Sequence, residues 1–97
     1  MPPLPVDYSE QARADIRMIV QESEVRFGAR QAARYNDAIE TACQRTGSYP
    51  DIGSAQADLP AIRALLSGSH RVYYVVESDR VLILRILHQR VRLSDAD

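Results

Sequence analysis

The apolar residues of this chain change period once, and that change constrains the fold more than any other feature. Ala12, Ile16, Ile19, Val20 and Phe27 recur at helical spacing, and Ala32, Tyr35, Ile39, Ala42 and Cys43 form a second stripe of the same kind. From Ile62 onward the period shortens to two. Val72, Tyr74 and Val76 alternate with Tyr73 and Val75, and Val81 to Leu87 is apolar at every position but Arg85. Two helices followed by three strands have one economical solution: a helical hairpin covers one face of a small sheet.

Local signals set the boundaries. Ser9 is a good N-cap and Glu10 suits the helix dipole, so the first helix is predicted over Glu10 to Phe27, with Gly28 as its stop. The second is predicted over Ala29 to Thr46 and ends at Gly47; nothing supports extending either helix past its glycine. The short Gly28 connection favours an antiparallel hairpin. Residues 47–60 are rich in turn formers and read as a loop. Strands are expected at 62–66, 71–77 and 80–88, separated by turns at Ser67-Gly68-Ser69 and Ser78-Asp79. The last of these is apolar on both faces and is placed centrally. Residues 3–8 read as a short opening strand that Pro3 and Pro5 confine to an edge. The expected fold class is α+β, in the order β-α-α-β-β-β: an antiparallel two-helix hairpin on a small antiparallel sheet, as a single domain over residues 1–97. The sheet face away from the helices carries arginines and is less fully covered.

The length of 97 residues suits one core. With 45% hydrophobic and 26% charged residues, the composition argues against disorder. No apolar run approaches the roughly 18 residues that span a membrane. The opening Met1-Pro2-Pro3-Leu4-Pro5 lacks the charged and apolar regions of a secretory signal. One cysteine excludes an internal disulfide and a Cys-rich metal site, and a reducing, cytoplasmic location is expected.

Charge is segregated. The formal net charge is −1, yet all 12 basic residues are arginine. Residues 1–60 hold six arginines against nine acids, a net −3; residues 61–92 hold six against two, a net +4; Asp95 and Asp97 supply the remainder. Such asymmetry points to an acidic partner for the second half.

Catalytic signals are few. No phosphate loop, dinucleotide fingerprint or metal-ligand cluster is present, so no cofactor or metal is expected. Cys43 lies on an apolar stripe and reads as a buried structural thiol. His70 and His88 are expected at opposite ends of adjacent strands, too far apart to share a metal. What remains is the arginine group Arg63, Arg71, Arg85, Arg90 and Arg92, whose guanidinium groups suit carboxylates or phosphates. Arg80 and Arg92 read as solvated surface. Arg85 interrupts an apolar strand and must find a partner, either a carboxylate of this chain or one of a partner chain. Tyr73 beside Arg71 or Arg85 could form a small stacking platform.

An ordered series of residues carries a family resemblance. It runs through Tyr8-Ser9, Ala12 and Asp15-Ile16; Gly28 and Ala32; Pro50 and Gly53; Leu59-Pro60 and Arg63; His70-Arg71-Val72-Tyr73-Tyr74-Val75-Val76; and Ile83-Leu84-Arg85-Ile86-Leu87-His88-Gln89-Arg90. The chain resembles the ParE/RelE superfamily of bacterial toxins over nearly its whole length, and the ParE branch more closely. The resemblance implies a helical hairpin on a small antiparallel sheet. It also implies a toxin of a type II toxin–antitoxin pair, neutralised by a ParD-like antitoxin in a hetero-oligomeric complex. ParE-like members are associated with inhibition of DNA gyrase and with plasmid stabilization.

RelE-like members instead cut mRNA on the ribosome. By resemblance their catalytic residues would fall on Arg71, Arg90 and His88. Their strand lysines would fall near Ile62 and Ala64, which are not basic, and their C-terminal tyrosine has no counterpart in residues 91–97. The resemblance therefore implies a non-enzymatic toxin, with a non-toxic, antitoxin-binding relative as a further alternative. Arg63, Arg71, Tyr73, Arg85, His88 and Arg90 are the expected contacts for antitoxin or target, and Arg63, Arg71 or Arg85 is expected to meet a partner's carboxylate.

Overall fold

The computed structural model describes residues 3–96; Met1, Pro2 and Asp97, which enter the readings of the opening segment and of charge, lie outside the described residues. Helix α1 (Glu10–Phe27) has its expected bounds, and the Ser9 hydroxyl oxygen accepts the Ala12 N–H at 3.0 Å. Gly28 sits at φ +86°, where a side chain would be strained, and alone joins α1 to α2 (Ala29–Ser48).

Helix α2 continues through Gly47, against the expectation that this glycine stops it. Gly47 serves close packing instead. A Cβ there would overlap the Leu4 carbonyl oxygen and lie 2.8 Å from Val6 Cγ2. The Leu4 N–H donates to the Gly47 carbonyl at 3.0 Å, so the opening segment lies directly on the helix backbone.

Five strands form one sheet in the order β1-β5-β4-β3-β2: β1 (Val6–Tyr8), β2 (Ser54–Ala55), β3 (Ile62–Ser67), β4 (His70–Val76) and β5 (Val81–His88). β1 lies at an edge, as its prolines require, but runs parallel to β5 with Val6 opposite Val81. The sheet is therefore mixed, antiparallel from β2 to β5. Within the 47–60 stretch, expected to be a loop, β2 is a two-residue strand that pairs with Arg63 and Ala64 of β3. The central strand is β4. β5 has a strand on both sides only along Val81 to Ile83.

The core lies between hairpin and sheet, where Val72, Tyr74, Val81, Ile83 and Ile86 meet Ala12, Ile19, Ile39, Ala42 and Cys43. Tyr74 is fully buried; its hydroxyl donates to the Pro50 carbonyl and accepts the Gly53 N–H, each at 2.8 Å. Burial raises its pKa, so it stays a protonated donor that pins the loop after α2. Phe27, assigned to the first apolar stripe, is 66% exposed at the hairpin tip.

A β-bulge alters the last strand. Tyr74 pairs with Ile83 but Tyr73 pairs with Arg85, leaving Leu84 unmatched. Plain alternation therefore fails at Leu84. Val81 and Ile83 face the helices before it; Ile86 and His88 do so after it. Two residues of the first half hold the bulge. The Ser9 N–H donates to the Ile83 carbonyl at 2.9 Å, and its hydroxyl donates to the Leu84 carbonyl at 2.7 Å. Asp15 Oδ2 accepts the Ile86 N–H at 2.9 Å. Where β1 ends, α1 supplies the hydrogen bonds that a neighbouring strand would otherwise make.

Candidate functional site

The arginines of the second half are not equally available. Arg85 forms a two-pronged contact with Asp15, Nε to Oδ2 at 2.8 Å and the guanidinium Nη2 to Oδ1 at 3.0 Å. Both side chains are largely buried, at 16% and 15% exposed. Of the two partners open in sequence, the carboxylate of this chain is the one observed. Arg63 donates to the Gly53 carbonyl at 2.7 Å and lies 3.6 Å from Asp51, whose side chain is almost fully exposed; that contact is a weak surface pair. Arg71 donates to the Gln89 carbonyl at 2.8 Å. Arg80, read as solvated surface, in fact bridges Glu77 at 2.6 Å and Asp7 at 2.9 Å, tying β1 to the β4–β5 turn.

Tyr73 does not present an open ring. It is 3% exposed on the sheet face away from the helices, in a cleft lined also by Leu59, Arg71, Arg92 and Leu93. The 56–59 loop and the C-terminal segment border that cleft, so the arginine face is more enclosed than its sequence suggests.

A second group lies on the opposite face. His70 and His88 are direct cross-strand partners, with ring centroids 5.5 Å apart at 80°. The expectation that they lie far apart is incorrect: in an antiparallel pair the start of one strand meets the end of the next, and the bulge brings these two residues into register. Tyr35 of α2 completes the group, its hydroxyl 2.5 Å from His70 Nδ1 and its ring 5.4 Å from the imidazole. Gly68, at φ +57°, lets the β3–β4 turn close over Tyr35, since a Cβ would come within 2.8 Å of its ring. The Ser69 N–H donates to the Tyr35 hydroxyl at 3.0 Å.

The Tyr35 hydroxyl accepts the Ser69 N–H and lies 2.5 Å from His70 Nδ1 and 3.4 Å from the Ser67 carbonyl, so it joins the imidazole to the β3–β4 turn. His88 Nδ1 accepts the Arg90 N–H at 3.1 Å. In its neutral form His88 therefore carries its ring hydrogen on Nε2. Burial, with the neighbouring His88 second, lowers the His70 pKa, and Glu22 opposes the shift. The cleft above the pair has a volume of about 610 Å³ and is lined by Ile19, Glu22, Arg26, Phe27, Arg90 and their neighbours. Sequence reasoning missed Tyr35 as a polar member, because its helical position marks it equally well as core. A reciprocal His70–His88 register would have been the only clue.

Cys43 is fully buried and its thiol is pushed up to about 11 by burial, so it remains a thiol at neutral pH. No group of three or more His, Cys, Asp or Glu suited to a metal ion occurs among the described residues. Among those residues, too, no helix is long and apolar enough to cross a membrane.

Known proteins place these features. The family described as "ParE toxin of type II toxin-antitoxin system, parDE" matches residues 6–93. The chain is 38% identical over 86 residues to Toxin ParE1 of Caulobacter vibrioides, with 88% of each protein covered. It is 35% identical over 68 residues to Toxin ParE1 of Mycobacterium tuberculosis, covering 68% of this chain and 69% of that protein. Among solved structures, a chromosomal ParDE system from P. aeruginosa has a TM-score of 0.77 at 19% identity, covering 88% of this chain and 95% of that one. The RelBE2 toxin–antitoxin complex from M. tuberculosis has a TM-score of 0.70 at 19% identity, covering 91% and 100%. At these identities the structural likeness speaks for the fold.

Proposed function

The chain belongs to the ParE family of type II toxin–antitoxin toxins, and we propose that it acts by binding DNA gyrase, without catalysing a reaction of its own. A ParD-like antitoxin neutralises it in the cytoplasm.

The observation that carries the non-enzymatic reading is the placement of Arg71 and His88. Arg71 pairs with Leu66 and Leu87, whereas His88 pairs with His70 on the side that meets Tyr35. Successive strand residues point to opposite faces. The arginine and the histidine that a RelE-like nuclease would use therefore lie on different sides of the sheet. Ile62 and Ala64 stand where lysines would complete such a site. A sequence pI of about 6.1 also suits ribosomal RNA poorly, since affinity there grows with the number of phosphates neutralised.

The ParDE and RelBE2 descriptions of the structural neighbours support an antitoxin partner. With Arg85 committed to Asp15, Arg71 and Arg63 are the arginines of the expected trio that retain donors for a partner's carboxylate. An acidic segment that folds on binding suits this role.

Purified protein should block gyrase supercoiling or trap cleaved DNA, and added antitoxin should reverse the effect. Unaffected gyrase at micromolar excess would count against the target. Discrete cuts in translated mRNA, lost in His88→Ala, would replace this reading with the nuclease. Normal growth on expression without antitoxin would favour a non-toxic relative.

A further inference from the structure

We propose that the cleft between the hairpin tip and the ends of β4 and β5 binds a phosphate dianion, free or as a monoester. This site shares His88 and Arg90 with the expected partner contacts but does not depend on the gyrase reading, and it uses the helix-facing side of the sheet.

The argument begins with donors. Both imidazoles engage their Nδ1 atoms within the chain, His70 with the Tyr35 hydroxyl and His88 with the Arg90 N–H. Their Nε2 atoms are thus the ring positions left for a ligand. Arg26 and Arg90 line the same cleft and are exposed. Among the described residues, neither guanidinium is in an ion pair, whereas Arg63, Arg80 and Arg85 all are. Two cations and two ring nitrogens able to donate match a phosphate dianion, which brings two charges and three terminal oxygens, better than a single carboxylate.

The rest of the cleft is consistent with an organic substituent. Its volume of about 610 Å³ exceeds what a bare anion fills. Ile19 gives it an apolar wall, and Phe27 offers an exposed ring at the rim. Large exposed aromatics beside arginines are the usual elements of a base-stacking site. Glu22 is the one acid in the lining and opposes an anion. A metal ion fits less well. His88 could ligate through Nε2 only after moving its hydrogen to Nδ1, where the Arg90 N–H already points.

The test is NMR titration of the purified full chain with inorganic phosphate and, separately, with AMP. Saturable shifts of the His70 and His88 ring signals are expected with either ligand. Arg26→Ala and Arg90→Ala should each weaken binding by about tenfold, and Glu22→Gln should tighten it. All three changes are at exposed side chains, and an unchanged amide spectrum would show that the fold survives. Tighter binding of AMP, with the gain abolished in Phe27→Ala, identifies a nucleotide; equal affinities identify free phosphate. The absence of saturable shifts up to phosphate concentrations on the order of 10 mM, or binding indifferent to both arginines, would overturn the proposal.

Discussion

Asp15 holds Arg85 and the backbone of Ile86 with the same carboxylate, although about 70 residues separate them in sequence. One side chain thereby does two things. It neutralises the arginine that interrupts an apolar strand, and it satisfies the edge of β5 where β1 has ended.

Asp15→Ala should be strongly destabilising. It removes the Asp15 carboxylate from a largely buried guanidinium and the acceptor from an edge N–H, a loss of about 3 kcal/mol. Asp15→Asn keeps an acceptor for Ile86 and should lose less. Urea unfolding of the three proteins measures this; a Asp15→Ala midpoint equal to wild type would contradict the assigned role.

Gly47→Ala tests packing against propensity. Alanine is the better helix former by about 1 kcal/mol. The added methyl, however, collides with the Leu4 carbonyl and Val6. A net destabilisation of about 1–3 kcal/mol is expected, with faster amide exchange in β1. A raised melting temperature would show that Gly47 is only a poor helix residue.

Acid should weaken the fold through His70. Its folded pKa lies below the ordinary 6.5, because burial and His88 disfavour its charged form. The unfolded chain therefore binds more protons just below pH 6.5. Stability is fully present above that value and falls as pH drops toward the folded pKa. Unfolding free energies measured from pH 8 to 5 in a phosphate-free buffer should show this slope, and His70→Asn should flatten it.

Cys43 should resist alkylation in the native protein at pH 7.5, since it is buried and its pKa is pushed up to about 11. Modification should track unfolding in urea. Rapid labelling of the native chain would mean that the helical hairpin opens readily.

Much of the architecture is legible in the residues, and the exceptions share a cause. Ser9 and Gly28 are local signals, and they mark α1 correctly because capping and left-handed backbone depend on nearest neighbours. The strands at 62–67, 70–76 and 81–88 follow from alternation and turn formers. β2 is invisible because a two-residue strand has no period. The position of the bulge is equally invisible, since the contacts that fix Leu84 come from Ser9 and Asp15 on another element. The candidate site inherits this limit. His70 and His88 meet only because of the bulge, and Arg71 is parted from His88 by the pleat that follows from that pairing. Gly47 misled for a different reason: a glycine in a helix can mark either an end or a close contact, and only the neighbour distinguishes them.

The link from Ser9 and Asp15 to Leu84–Ile86 also has a consequence for synthesis. A chain emerging from its N-terminus displays β1 and both helices long before β5 exists. Until then the carboxylate of Asp15 has no guanidinium, Ser9 has no strand to close upon, and Ala12, Ile19 and Ile39 have no sheet beneath them. The hairpin is too short to bury its apolar face alone, so the nascent chain stays incomplete until its last strand is made. Closure of the fold therefore waits on β5, which pairs with β1 and is gripped by Asp15 of α1.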